Sequence, residues 1–233
     1  MSTKLAIIPA RGGSKGIINK NLKLFDNKPL IQYTIEAALK SNICYKVIVS
    51  SDSEDILKYV RNFNIETPFI RPSHLGGDDV LMKDVVLHAL NWLEQYESFD
   101  PDIIYLLQPT SPLRTYRHII NSYYLFKDSS SDTLVSVVKV PHNFTINSMM
   151  RIQNNRLKKV NSFEEIPLRQ EKEIFYSRNG AAIYCFKKKY FIENKKFFDE
   201  DTIPFIMDKI SSIDIDEIDD FILAELIYKS KLF

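Results

Sequence analysis

The stretch Ala10-Arg11-Gly12-Gly13-Ser14-Lys15-Gly16, followed by Lys20 and Asn21, has the composition of an anion cradle. Two adjacent glycines let the backbone turn tightly and approach a ligand with no Cβ in the way. Arg11, Lys15 and Lys20 bring positive charge and Ser14 a hydroxyl, so exposed amides and cations together suit a polyphosphate. The spacing is neither G-x-x-x-x-G-K-[ST] nor G-x-G-x-x-G. An ordinary solvated turn between a strand and a helix has the same composition, and the residues alone leave both readings open.

A second group is Ser212-Ile213-Asp214-Ile215-Asp216-Glu217-Ile218-Asp219-Asp220. If 211–215 is a strand, Ile213 and Ile215 face the core, while Asp214 and Asp216 share the other face about 6–7 Å apart. Two such carboxylates fit Mg²⁺ that also takes phosphate oxygens. The competing reading makes Asp216 the N-cap of a final helix, with Glu217, Asp219 and Asp220 complementing its dipole. That reading leaves Asp214 unexplained, which favours a metal for the 214/216 pair.

Two more loops offer polar groups. In Gln108-Pro-Thr-Ser-Pro-Leu-Arg114 the prolines stiffen a segment that presents Gln108, Thr110 and Ser111; the plain alternative is a rigid turn with Arg114 in a surface ion pair. In Arg71-Pro-Ser-His-Leu-Gly-Gly-Asp78, Arg71 ends a predicted strand and Gly76-Gly77 would let backbone groups read the edge of a base, or simply supply positive φ. The four histidines have no metal-ligand spacing, and neither H-E-x-x-H nor G-x-S-x-G occurs.

These loops need elements to hold them. Leu5–Pro9, residues 46–49 and 102–107 read as strands buried on both faces. Leu30, Ile31, Thr34, Ile35, Ala38 and Leu39 recur at helical spacing. Ser51 to Glu54 carries a capping-box signature for a helix with Ile56, Val60 and Phe63 inward. Residues 79–97, with a stripe from Leu81 to Leu93, and 116–127 predict further helices. The alternation predicts an α/β fold with a doubly wound, mostly parallel sheet, whose ligands bind beyond the carboxyl ends of strands. Residues 141–180 break the pattern, with a hairpin across Asn154-Asn155. Strand character returns at 181–186 and 210–215, and a helix closes the chain at about 217–231. One domain over 1–233 with an inserted arm at 141–180 is the resulting division.

The 233 residues, 45% hydrophobic and 26% charged, suit one α/β domain of that size. A net charge of +1 argues against a nucleic-acid coat. Cys44 and Cys185 read as reduced thiols, and the amino-terminal apolar stretch is too short for a signal peptide or a membrane span. A cytoplasmic protein without membrane or nucleic-acid partners is expected.

Taken in order, IIPARGGSKGIINKN at 7–21, IVSSD at 48–52, IRP with LGGD at 70–78, LLQPTSPLR at 106–114, RNGAAIY at 178–184 and SIDIDEIDD at 212–220 resemble the CMP-sialic acid synthetase (acylneuraminate cytidylyltransferase) family. The resemblance implies a nucleotide-diphospho-sugar transferase-like fold with a dimerisation arm, and a homodimer that uses CTP, a nonulosonic acid and Mg²⁺. It places Ala10, Arg11, Gly12, Ser14, Lys20 and Asn21 at the CTP phosphates, and Arg71 with Gly76, Gly77 and Asp78 at the ribose and cytosine. Gln108, Thr110, Ser111 and Asn179 fall on the sugar side, with Arg169 or Arg178 at its carboxylate, unless these arginines form surface or interface ion pairs. Asp214 and Asp216 become the Mg²⁺ ligands, and with Arg11 and Lys20 the catalytic set. The loop 76–82 (GGDDVLM) departs from the hydroxyl-rich run of sialic acid enzymes. A glycosyltransferase using Asp214-Ile-Asp216 as a D-x-D motif, and a non-catalytic nucleotide-binding protein, are the two rival expectations.

Overall fold

The computed structural model describes residues 2–14, 16–63, 65–146, 148–160 and 173–231. The elements run β1 (Lys4–Pro9), β2 (Leu24–Phe25), β3 (Lys28–Pro29), α1 (Leu30–Ser41), β4 (Lys46–Ser50), α2 (Glu54–Val60), α3 (Met82–Glu97), β5 (Ile103–Leu106) and α4 (Tyr116–Lys127). They continue with β6 (Thr133–Lys139), β7 (Met150–Gln153), β8 (Arg156–Lys159), β9 (Tyr176–Arg178), β10 (Tyr184–Lys187), α5 (Lys188–Asn194), β11 (Ile203–Met207) and α6 (Ile218–Ser230).

The main sheet has the order β11-β6-β10-β5-β1-β4, with β9 on the far half of β6. β1 is parallel to β4 and β5, and β11 to β6, whereas β10 runs antiparallel to both its neighbours. The strands alternate between two cores, as a period of two requires. Ala6, Ile8, Val47, Val49, Tyr105 and Cys185 pack with α1, α2 and α4 on one face. Leu5, Ile7, Ile48, Ile104, Leu106 and Phe186 pack with α3 and α5 on the other. Apolar runs such as LAIIP are continuous because both faces are covered. A third cluster seats α6 on Phe25, Leu30 and Tyr33. No helix among the described residues is long and apolar enough to cross a membrane, and Cys44 and Cys185 are free.

Several boundaries differ from the sequence expectation. Ser53, not Ser51, caps α2 with its hydroxyl on the Ile56 amide, because the Ser51 hydroxyl is turned to the Ser53 amide. Leu39 and Leu81 face outward, and Leu81 precedes the first turn of α3. Residues 181–183 are a turn leading into β10, with Ala181 at φ 54. The last strand is β11, and 210–215 is not a strand. The Asp208 carboxylate accepts from the Ile210 and Ser211 amides at 2.9 Å each, and this local turn replaces the ladder. Arg71 lies in a loop rather than at a strand end.

The hairpin over β7 and β8 forms as expected, with Asn154 and Asn155 both at positive φ. Every residue of both strands is exposed, and among the described residues the two strands pair only with each other.

Phe186 is fully buried and meets Phe191 and Phe197 at ring distances of 5.3 Å each. Phe186→Ala is expected to lower the unfolding free energy by about 3–5 kcal/mol, read from the urea midpoint at unchanged m-value.

Candidate active site

The loops after β1, β4 and β5 leave the same edge of the sheet, and a cleft of about 270 Å³ lies over them. Arg11, Ser14, Lys20, Asn21, Arg71, Gly77, Asp78, Gln108, Thr110 and Asp216 line it, so four separate stretches of sequence converge there.

A carboxylate not assigned from the sequence ties two of these stretches together. Asp52 follows β4, and its Oδ1 accepts from the Gly12 amide at 3.0 Å and from Arg71 Nη2 at 3.1 Å. A Cβ on Gly76 would overlap the Asp52 carboxyl. Gly76 is therefore needed for close packing on Asp52, and the Gly12 amide is already spent. Ala10 is buried with its amide on the Ser50 carbonyl, so it shapes the turn. The Arg71 side chain is 3% exposed, and burial pulls its pKa down against the opposing pull of Asp52.

Arg11 is paired with Asp78 across the mouth of the cleft. Asn21 donates to the Arg11 carbonyl at 2.9 Å. Lys20 donates to the carbonyls of Ile215 at 2.6 Å and Asp216 at 3.4 Å, and its ammonium stands 4.0 Å from Asp216 Oδ1. Burial lowers the Lys20 pKa, and Asp216 and Asp214 oppose that shift. Lys15 and Arg169 lie outside the described residues.

The acidic segment is held by the Ile215 amide on the Thr110 carbonyl at 2.8 Å, and Gly16 backs onto the Asp216 carbonyl. Because 211–215 is not a strand, the two carboxylates do not share an exposed face. The Asp216 side chain is 80% exposed, whereas Asp214 is half-buried against Gly180, whose Cβ would overlap its carboxyl. Burial pushes the Asp214 pKa up to about 6, with the Thr110 hydroxyl acting the other way. Its Oδ1 is buried with no hydrogen-bond partner. Glu217, not Asp216, caps α6, in a reciprocal capping box with Asp220.

A second cleft of about 440 Å³ shares Met82 and Gln108 with the first. Its lining includes Ser177, Arg178, Gly180, Tyr184 and Phe197. Arg178 reaches Tyr184 Oη at 3.4 Å and stacks on Phe198 with 4.6 Å to the ring centre. Two expected sugar contacts sit elsewhere. Ser111 is 1% exposed and lines neither cleft. Asn179 is buried, accepting from the Ser136 hydroxyl at 2.6 Å and donating to the Ser212 hydroxyl at 3.0 Å. Arg114 is buried too, and not in a surface ion pair.

The family model described as Cytidylyltransferase matches residues 5–232. The chain belongs to the cytidylyltransferase family. That match sets aside both the D-x-D glycosyltransferase and the non-catalytic reading: family members transfer a cytidylyl group. The chain is 36% identical to N-acylneuraminate cytidylyltransferase of Escherichia coli O18:K1:H7 over 233 residues, covering 99% of itself and 54% of that protein. It thus spans about half the length of that relative. It is 35% identical to the CMP-N,N'-diacetyllegionaminic acid synthase of Legionella pneumophila, covering 95% and 94% of the two chains. In fold it matches the solved CMP:2-keto-3-deoxy-manno-octonic acid synthetase complexed with CTP, with TM-score 0.73 and 17% identity over 99% of this chain and 100% of that one.

Asp52→Ala is expected to leave the buried Arg71 without its carboxylate and to cost about 3 kcal/mol of stability. CTP affinity should fall with it, because the Gly12 and Gly76 loops lose a common anchor. Thermal unfolding and CTP titration of the variant check both.

Proposed function

We propose that the chain transfers CMP from CTP to the anomeric hydroxyl of a nonulosonic acid, releasing pyrophosphate. The observation that carries this is the convergence of Arg11, Lys20, Arg71 and Gln108 on one cleft at the carboxyl edge of the sheet, in a chain of the cytidylyltransferase family. The named relatives act on N-acylneuraminate and N,N'-diacetyllegionaminate, acids of one chemical class.

The residues divide the work. The first cleft takes CTP. Its phosphates displace Asp78 from Arg11 and meet Ser14 and Lys20, while Arg71 and Gly77 face the nucleoside. The second cleft takes the acidic sugar, with Gln108 between the two substrates and Arg178 toward the carboxylate. Positioning and charge neutralisation lower the barrier as the hydroxyl attacks the α-phosphorus and pyrophosphate leaves. No histidine lines either cleft.

The donor set suits Mg²⁺. Asp214 Oδ1 is an unpartnered buried oxygen, Asp216 is an exposed carboxylate, and both are hard ligands. Asp214 and Asp216 would hold the ion, with the remaining positions left to phosphate oxygens and water. When bound it neutralises phosphate charge and makes the attacking hydroxyl more acidic.

Incubation with CTP and sialic, legionaminic or pseudaminic acid is expected to yield pyrophosphate and a CMP-sugar with at least one of them. Release of a nucleoside diphosphate, or no turnover with all three, refutes the reading. Asp216→Ala in saturating Mg²⁺ should lose more than tenfold in kcat, and a loss of tenfold or less removes Asp216 from the metal site.

The arm reading extends this proposal. An isolated two-stranded hairpin is marginal in water, yet β7 and β8 carry Ile152 at 77% and Leu157 at 67% exposure. A second copy of the chain is the natural cover, forming a homodimer through the β7–β8 hairpin of the arm expected at 141–180, of which 161–172 lie outside the described residues. Ile152→Asp is expected to shift the mass measured by light scattering from dimer toward monomer without changing monomer stability by more than about 0.5 kcal/mol. A wild-type monomer, or a dimer indifferent to the change, rejects the arm as the contact.

A further inference from the structure

Arg114 is the largest of the fully buried side chains, 2% exposed, and the chemistry above makes no use of it. Burial alone moves its pKa, down to about 9, with no carboxylate contributing. Its donors go to neutral oxygens. Nη1 donates to the carbonyls of Ala182 at 2.7 Å and Gln108 at 3.1 Å, and Nη2 donates to Thr34 Oγ1 at 2.6 Å. Nε has no partner. An unpaired buried guanidinium is costly, and an apolar side chain would fill the space more cheaply. The charge is therefore retained for what its fork joins.

It joins three elements behind the second cleft: α1 through Thr34, the turn into β10 through Ala182, and the loop after β5 through Gln108. The Gln108 backbone is held from both sides. Its amide donates to the Ala181 carbonyl at 3.2 Å, and its carbonyl accepts from Arg114 and, at 3.4 Å, from the Thr34 hydroxyl. Gln108 is one of two residues common to both clefts, and Gly180 and Ala181 lie in the lining of the second. The phosphate side has a different anchor, since Gly12, Arg71 and Gly76 gather on Asp52.

We propose that Arg114 is a positioning residue for the acceptor: its guanidinium fixes Gln108 against the 180–182 turn, so that the side chain between the two clefts meets the sugar in one orientation. The proposal rests on the reading of the second cleft as the sugar site. Lysine cannot replace the arginine, because an ammonium on a flexible stem does not offer three donors in a planar fork.

The test compares wild type, Arg114→Lys and Thr34→Val, the last being a near-isosteric change remote from both clefts. Arg114→Lys should raise KM for the acceptor acid tenfold or more, and Thr34→Val about threefold, with KM for CTP within twofold of wild type in both. Hydrogen exchange should quicken at 107–110 and 180–182 and stay unchanged at 71–78. Arg114 also lines an outer pocket of about 580 Å³, so methylguanidinium can reach the space vacated in Arg114→Ala and should restore part of the acceptor KM. Parallel rises in both KM values, or an unmoved acceptor KM in folded variants, overturn the proposal. If Arg114→Ala does not fold, the Lys and Val variants decide alone. If wild type turns over no acceptor, the functional reading fails, and unchanged exchange at 107–110 in Arg114→Lys separately rejects the clamp.

Discussion

The Asp52 carboxylate is the interaction on which the loops around the first cleft depend. It stands just past the carboxyl end of β4 and binds the Gly12 amide and the Arg71 guanidinium, while Gly76 packs against it. Parallel strands deliver loops to one edge of a sheet but do not make those loops cohere. Here a partly buried carboxylate supplies the cohesion. Both members of the Asp52–Arg71 pair are largely shielded, at 19% and 3% side-chain exposure, so removing either strands the other in a poor solvent. The pair thus acts as a structural fixture beside a site that must otherwise accept and release a charged ligand.

The direction of β10 matters as much. It enters the sheet antiparallel, with Tyr184 opposite Leu106 at the end of β5. The residues that precede it therefore arrive at the same edge as the residues that follow β5. This is how Gly180 comes to lie under the Asp214 carboxyl and Ala182 comes within reach of Arg114. An all-parallel sheet would have put the start of that strand at the opposite edge, and the second cleft would have lost its floor.

Much of this was legible in the sequence, for reasons that also mark where legibility ends. Apolar runs and helical stripes report burial directly, so β1, β4, β5, α1 and α4 fall close to their predicted spans. The Asn154-Asn155 turn was readable because positive φ at both positions selects such residues. The segment 210–215 alternates like a strand, yet Asp208 turns the chain through two local hydrogen bonds; periodicity registers side-chain pattern and is blind to that competition. β11 was missed because its Ile206 is 57% exposed and the strand sits at the sheet edge. Asp52 and Arg114 escaped for a different reason. Charged side chains are rarely buried, and only the three-dimensional neighbours show that these two are held inside.

The cations of the cleft then fall into two kinds, and the division follows from exposure. Arg71 sits in a shielded pair, and Lys20 is satisfied by the carbonyls of Ile215 and Asp216. Both contribute charge that is already oriented by protein contacts. Arg11 is different. Its side chain and that of its partner Asp78 are 36% and 31% exposed, and a pair so open to water is worth no more than about 1 kcal/mol. A triphosphate carries more negative charge than one carboxylate does, so a pair this open can yield Arg11 to such a ligand at little cost. The shielded pair keeps the loops in register while the open pair is the cheaper one to break, so one cleft combines a rigid frame with an exchangeable cation.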